Sequence, residues 1–208
     1  MGGIKKKMAN VIEGLKWKMQ WRIDKFKDPT DEVAKALQGG ISVAMAKKVF
    51  PGAFIKTERL KPDVGRLSDL LPQFLFQCRP VRQRRVALNV GLQNLIEIIC
   101  GIGTTTLYNN ANARLGVGSD ATAADPSQTD LIDATPTWKA MDATYPQRSG
   151  QIAEWRSTFG SDDANEAWNE YAVDNGVTAH KLLNRKVESK GTKASGETWT
   201  LSLKITFS

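Results

Sequence analysis

The stretch Glu197-Thr-Trp-Thr-Leu-Ser-Leu-Lys-Ile-Thr-Phe-Ser208 decides how the rest of the chain is read. Trp199, Leu201, Leu203, Ile205 and Phe207 fall on one side of a period-two alternation, with Thr198, Thr200, Ser202, Lys204 and Thr206 on the other. Successive side chains of a strand point to opposite faces, so the pattern predicts a strand with one apolar face and one wetter, hydroxyl-rich face. Lys193-Ala-Ser-Gly196 supplies a turn before it, and residues 182–187 read as its partner strand. Such a strand needs a sheet, and its apolar face needs a second layer.

The same period recurs near the start of the chain. Trp17, Met19, Trp21 and Ile23 alternate with Lys18, Gln20, Arg22 and Asp24, which predicts a strand over 17–27 with an aromatic, core-facing side. Further short strands are predicted at 111–118, 138–143, 151–159 and 168–173, separated by turn chemistry such as Ser161-Asp-Asp-Ala-Asn165 and Asp174-Asn-Gly176. Residues 86–100 read as the best helix. Leu88, Leu92, Leu95, Ile96 and Ile99 form its stripe, Asn89, Gln93, Asn94 and Glu97 lie opposite, and Gly101 is the C-cap. Roughly seven short strands and one helix predict a mainly β protein. The expected fold is an antiparallel β-sandwich with one packed helix and a long basic N-terminal extension and insertion.

Four segments result: a basic arm over 1–16, the strand 17–27 that joins the sandwich, a loop-rich basic insertion over 28–85, and the sandwich domain over 86–208 with its leading helix. The insertion holds two short helical patterns, 31–38 capped by Thr30 and 43–50 stopped by Pro51. Pro51, Pro62, Pro72 and Pro80 then divide it into short pieces, leaving Phe54, Phe74 and Phe76 as apolar side chains to pack against a neighbour.

Net charge is +7 over 208 residues, but it is unevenly placed. Residues 1–85 carry 19 Lys/Arg against 8 Asp/Glu, or +11, while 86–208 carry 10 against 14, or −4. The clusters Lys5, Lys6, Lys7 and Arg79, Arg82, Arg84, Arg85 mark the front of the chain for an acidic partner, a protein surface or nucleic acid. Cys78 and Cys100 sit beside apolar runs and are expected as buried free thiols. No secretory signal is expected, because Asn10, Glu13 and Lys16 interrupt the apolar residues after Lys7. No apolar run reaches the ~20 residues of a spanning helix. His180, the sole histidine, lies in a polar loop after Asn175-Gly176; with two distant cysteines it makes no zinc set of ordinary spacing, and nothing in the sequence recommends it for a Ser/His/Asp arrangement. Gly101-Ile-Gly103 lacks the Lys-Ser/Thr of a phosphate loop, and Asp162, Asp163 and Glu166 read as a solvated turn. No enzyme and no cofactor are expected.

Several motifs run in a fixed order: Ala113-Arg-Leu-Gly-Val-Gly118, Thr129-Asp-Leu131, Ala164-Asn-Glu-Ala-Trp-Asn-Glu-Tyr-Ala-Val-Asp-Asn-Gly176, Leu182-Leu-Asn-Arg-Lys186, and the closing Thr/Leu-alternating strand. Over about residues 86–208 this order resembles a group of tailed-bacteriophage virion proteins. Such domains occur in tail fibres and tail-tip parts and in small proteins that decorate or cement the head. The chain departs from fibre proteins in being short and without a repeat or shaft. The resemblance implies a structural protein of the virion, made in the host cytoplasm. Capsid decoration or cement is the leading expectation, and a tail, tail-tip or head–tail connector part is the alternative. A nucleic-acid-binding protein is the second alternative. Expected partners are other virion proteins (the major capsid protein or tail proteins) and further copies of the chain, with nucleic acid less favoured and no membrane.

Overall fold

The computed structural model describes residues 16–66, 87–103, 106–176 and 181–207. In chain order the elements are β1 (Lys16–Lys27), α1 (Glu32–Gln38), α2 (Val43–Val49), β2 (Phe54–Arg59), β3 (Asp63–Arg66), α3 (Asn89–Cys100), β4 (Arg114–Gly118), β5 (Thr137–Ala140), β6 (Gln147–Ser149), β7 (Ile152–Phe159), β8 (Glu170–Asp174), β9 (Asn184–Val187) and β10 (Glu197–Phe207). They form two antiparallel sheets. The first runs β2-β1-β10-β7-β6, with β3 also paired to β1, and the second runs β5-β4-β8-β9. The fold is mainly β, with strands near both ends of the sequence as neighbours: β1 pairs with β10 from Trp17 opposite Phe207 to Lys27 opposite Glu197.

The alternation in β1 and β10 places Trp17, Met19, Trp21, Ile23, Trp199, Leu201, Leu203 and Ile205 in one core. Leu115, Val117, Tyr171 and Val173 of the second sheet face them. Trp168 is fully buried among Phe159, Tyr171 and Trp199, meeting each ring nearly edge-on. That geometry aligns ring edges with ring faces and adds to the burial itself.

Four expectations are corrected. First, β9 pairs with β8, not β10. A tight hairpin is excluded because the nine residues 188–196 keep bonding to 166–169, the run before β8, before the chain crosses: Glu188 N–H to Asn169 O, Lys190 N–H to Trp168 O, Lys193 N–H to Glu166 O. Second, the hydroxyl face of β10 is not wet. Thr198, Thr200 and Ser202 are buried beneath α1 and α2, whose Val33, Leu37, Val43 and Ala46 pack on Phe26. Asp28 makes this possible, accepting Thr198 Oγ1 and the N–H of Ala34 at 2.9 Å each.

Third, the insertion is not loop-rich where it is described: both expected short helical patterns form, as α1 and α2, and two strands follow them. β2 and β3 lie end to end along β1, Arg59 opposite Arg22 and Asp63 opposite Met19. Thr30 does not cap α1. Asp31 holds the N-cap position with φ 57°, and its carboxylate is turned to Ser161, accepting the N–H at 2.7 Å and Oγ at 3.0 Å. Fourth, α3 buries Leu88 at its N-cap and packs Leu92 and Leu95 inward as expected, but the rest of its buried face differs from the expected stripe. Gly91 and Asn94 are buried, Leu92, Leu95 and Ile98 pack on the core, and Ile96 and Ile99 face out. Apolar residues occur around most of this helix, so their spacing alone did not define its buried face. Gly101 ends it with φ 63°, as expected, and Cys100 is an exposed free thiol rather than a buried one. No helix among the described residues is long and apolar enough to cross a membrane.

Candidate interaction surface

Helix α3 sits at one end of the sandwich because Gly91 lets its backbone press on Leu182 and Leu183. Leu88, fully buried at the N-cap, receives its place from a hydrogen bond between its own N–H and Leu183 O at 3.1 Å. Asn94 Nδ2 donates to Thr106 O at 3.3 Å, and Asn175 Nδ2 donates to the same oxygen at 2.9 Å. This pins the segment that leads to Tyr108. Tyr108 donates its hydroxyl to Lys181 O at 2.9 Å and receives Trp155 Nε1 on its carbonyl at 3.0 Å. Burial pushes its phenol well above the ordinary value, so it is a neutral donor and not a base.

Between α3 and the sheet edge these contacts leave an apolar cleft of about 320 Å3. Leu95, Ile98, Leu107, Trp155, Ile205 and Phe207 line it, and none of its lining residues is charged. Large apolar side chains stay exposed on α3 and just after it (Ile99 at 81%, Ile102 at 56%) and in the cleft lining (Leu107 at 48%, Phe207 at 41%). Tyr108, its hydroxyl committed to Lys181 O, is the one titratable side chain among the lining residues. The cleft's available chemistry is removal of apolar surface from water by a complementary partner.

Nine of the ten residues expected at a partner surface lie outside the described residues: Lys5, Lys6, Lys7, Phe74, Phe76, Arg79, Arg82, Arg84 and Arg85. His180 and Cys78 do so too. The tenth, Phe54, is half-buried on β2, with its ring 5.6 Å from that of Phe26 and Lys47 Nζ 4.0 Å above it. In this structure it packs beside the α1–α2 core. The acidic turn is a structural hub. Asp163 accepts Gly160 N–H at 2.8 Å and pairs with Lys139, and these donors hold its carboxyl below the ordinary range despite partial burial. No group of three potential metal ligands occurs among the described residues.

The cleft is not legible in the sequence, because the spacing puts Ile99 in the buried stripe and Phe207 on the core face of β10. The available signal was Gly91: a glycine inside a strong helix marks a close backbone approach, and it lies on the face that does turn inward. Comparison with protein-family models, with curated proteins and with solved structures finds no match to this chain.

Proposed function

We propose that the protein is a non-enzymatic structural component of a tailed-phage virion, acting as a head decoration or cement protein that docks on neighbouring capsid subunits. The observation that carries this reading is the apolar cleft beside α3, with Leu107 and Phe207 exposed in its lining and Ile99 and Ile102 exposed on and just after the helix. The motif order of residues 113–207 supports the virion setting. A protein that works by adhesion needs a stiff body and a surface complementary to its partner, and the two-sheet core with its added helical layer provides the stiffness. The basic front of the chain, +11 over residues 1–85, adds electrostatic attraction to an acidic neighbour. That attraction speeds and orients docking and weakens as salt rises.

Copy number in purified virions, read by gel densitometry, tests the location. Hundreds of copies per particle agree with head decoration, while a dozen or fewer place the protein in the tail or connector. Ile99→Asp combined with Phe207→Ser is expected to leave the melting temperature nearly unchanged and to reduce incorporation into particles at least tenfold. Undiminished incorporation removes the cleft from the docking surface. Salt-sensitive binding to random duplex without particles would instead favour the nucleic-acid reading.

A further inference from the structure

Across the outer face of the first sheet, antiparallel pairing sets Arg59 beside Arg22, Arg22 beside Ser202, and Ser202 beside Arg156. Directly paired side chains on one face stand about 5 Å apart at Cβ, and like charges so placed repel. The three arginines line a cavity of about 330 Å3, bounded on one side by residues 42–44 at the start of α2. Lys47 and Lys204 line it as well.

The floor is rigid. Arg156 is 1% exposed, held by Asp142 Oδ2 at 2.6 Å and Leu37 O at 2.7 Å, with the Tyr145 ring 4.3 Å away. The Asp24 carboxylate is ion-paired with Arg22 at 2.7 Å and Lys47 at 3.1 Å, and it also accepts the hydroxyl of Thr57. Lys204 pairs with Glu154 at 3.1 Å. Ser202, 2% exposed, keeps its Oγ buried without a hydrogen-bond partner between Arg22 and Arg156.

Counting the carboxylates of Asp24, Glu154 and Asp142 against the five lining cations leaves a surplus of two positive charges. Asp24 offsets Arg22, but among the described residues no carboxylate pairs with Arg59 directly opposite it, so that charge adds a repulsion that a network serving the fold alone does not need. Guanidinium forks match the oxygens of phosphate two at a time. The volume is near the lower limit of small-ligand pockets, enough for a phosphate with a small substituent and too little for a large cofactor. We propose that this cavity binds a doubly charged oxyanion of the phosphate class, free or as the end of a small phosphomonoester. Arg22, Arg59 and Lys47 grip it at the rim, above Arg156. The site lies apart from the apolar cleft and does not depend on the virion reading.

Isothermal titration of the full chain at constant ionic strength tests this, with inorganic phosphate, ribose 5-phosphate and chloride as probes. Saturable binding of one phosphate per chain is expected, with chloride giving no saturable signal. Tighter binding of ribose 5-phosphate identifies a phosphomonoester as the ligand, and equal or weaker binding identifies free phosphate. Arg59→Gln, at an exposed rim position, should fold as the parent by melting temperature and bind at least tenfold more weakly. Arg148→Gln, exposed on β6 and outside the cavity, should bind as the parent. Phosphate binding no stronger than that of chloride, or an Arg59→Gln protein that binds phosphate undiminished, overturns the proposal.

Discussion

At Gly91, helix α3 approaches the segment before β9 so closely that a Cβ would stand 2.4 Å from Leu182 O and Leu183 Cα. Backbone cannot yield as a side-chain tip can, so Gly91→Ala should destabilise the protein by about 1–3 kcal/mol even though alanine favours a helix. Thermal melts check this, with Gln93→Ala, exposed on the same helix, as the near-silent control. A second residue-scale prediction concerns Asp133. Its carboxylate accepts the hydroxyl and N–H of Ser119 at 2.5 Å each and the N–H of Thr135 at 2.8 Å. These bonds, the Ser119 hydroxyl foremost, hold its carboxyl below the ordinary range. A depressed folded value means that the stabilisation is complete above the ordinary carboxylate value and is lost as pH falls through the folded one. The stability gap between the parent and Asp133→Asn in urea titrations should therefore be constant from pH 7 to pH 5 and close below about pH 4. An unchanged gap in acid would show that the charge of Asp133 is not its source.

At the scale of the element, β10 carries different loads on its two faces. Leu203 is fully buried opposite Trp21 on one side and Trp155 on the other. Leu203→Asp would place an unpaired charge in the core, at a cost of several kcal/mol. Lys204 keeps 42% of its side chain exposed and pairs with Glu154, so Lys204→Asp should cost far less. Equal melting temperatures for the two variants would contradict the register. Helix α3 follows the same logic. Asn94 is fully buried and bonded to Thr106 O, so Asn94→Ala should cost about 1 kcal/mol where an outward residue would cost little. Ile99→Ala, at 81% exposure, should be nearly silent in stability.

For the whole molecule, the pairing of β1 with β10 joins residues 17–27 to 197–207 across most of the chain. β10 also pairs with β7 from Trp199 opposite Phe159 to Thr206 opposite Ile152. Removing residues 197–208 would therefore split the first sheet and expose half of the core. The truncated chain is expected to lose its cooperative thermal transition. A retained sharp transition in calorimetry would show that the second sheet folds with α3 alone.

What the residues determined by themselves was the local period. Trp17 to Ile23 and Trp199 to Ile205 could be read as core-facing, and Gly101 as a helix end, because strand alternation and a left-handed C-cap depend on neighbours a few positions away. The tertiary structure decided which surfaces are covered. The hydroxyls of Thr198 and Thr200 looked wet because nothing local to β10 shows that α1 and α2, some 150 residues earlier, lie over them. In the same way, Arg22, Arg59 and Arg156 are scattered in sequence and become one cationic row only when β2, β1, β10 and β7 take their places. A strand's two faces are encoded locally. The identity of what packs on each is a long-range property, set by which strands pair and which layers they leave room for.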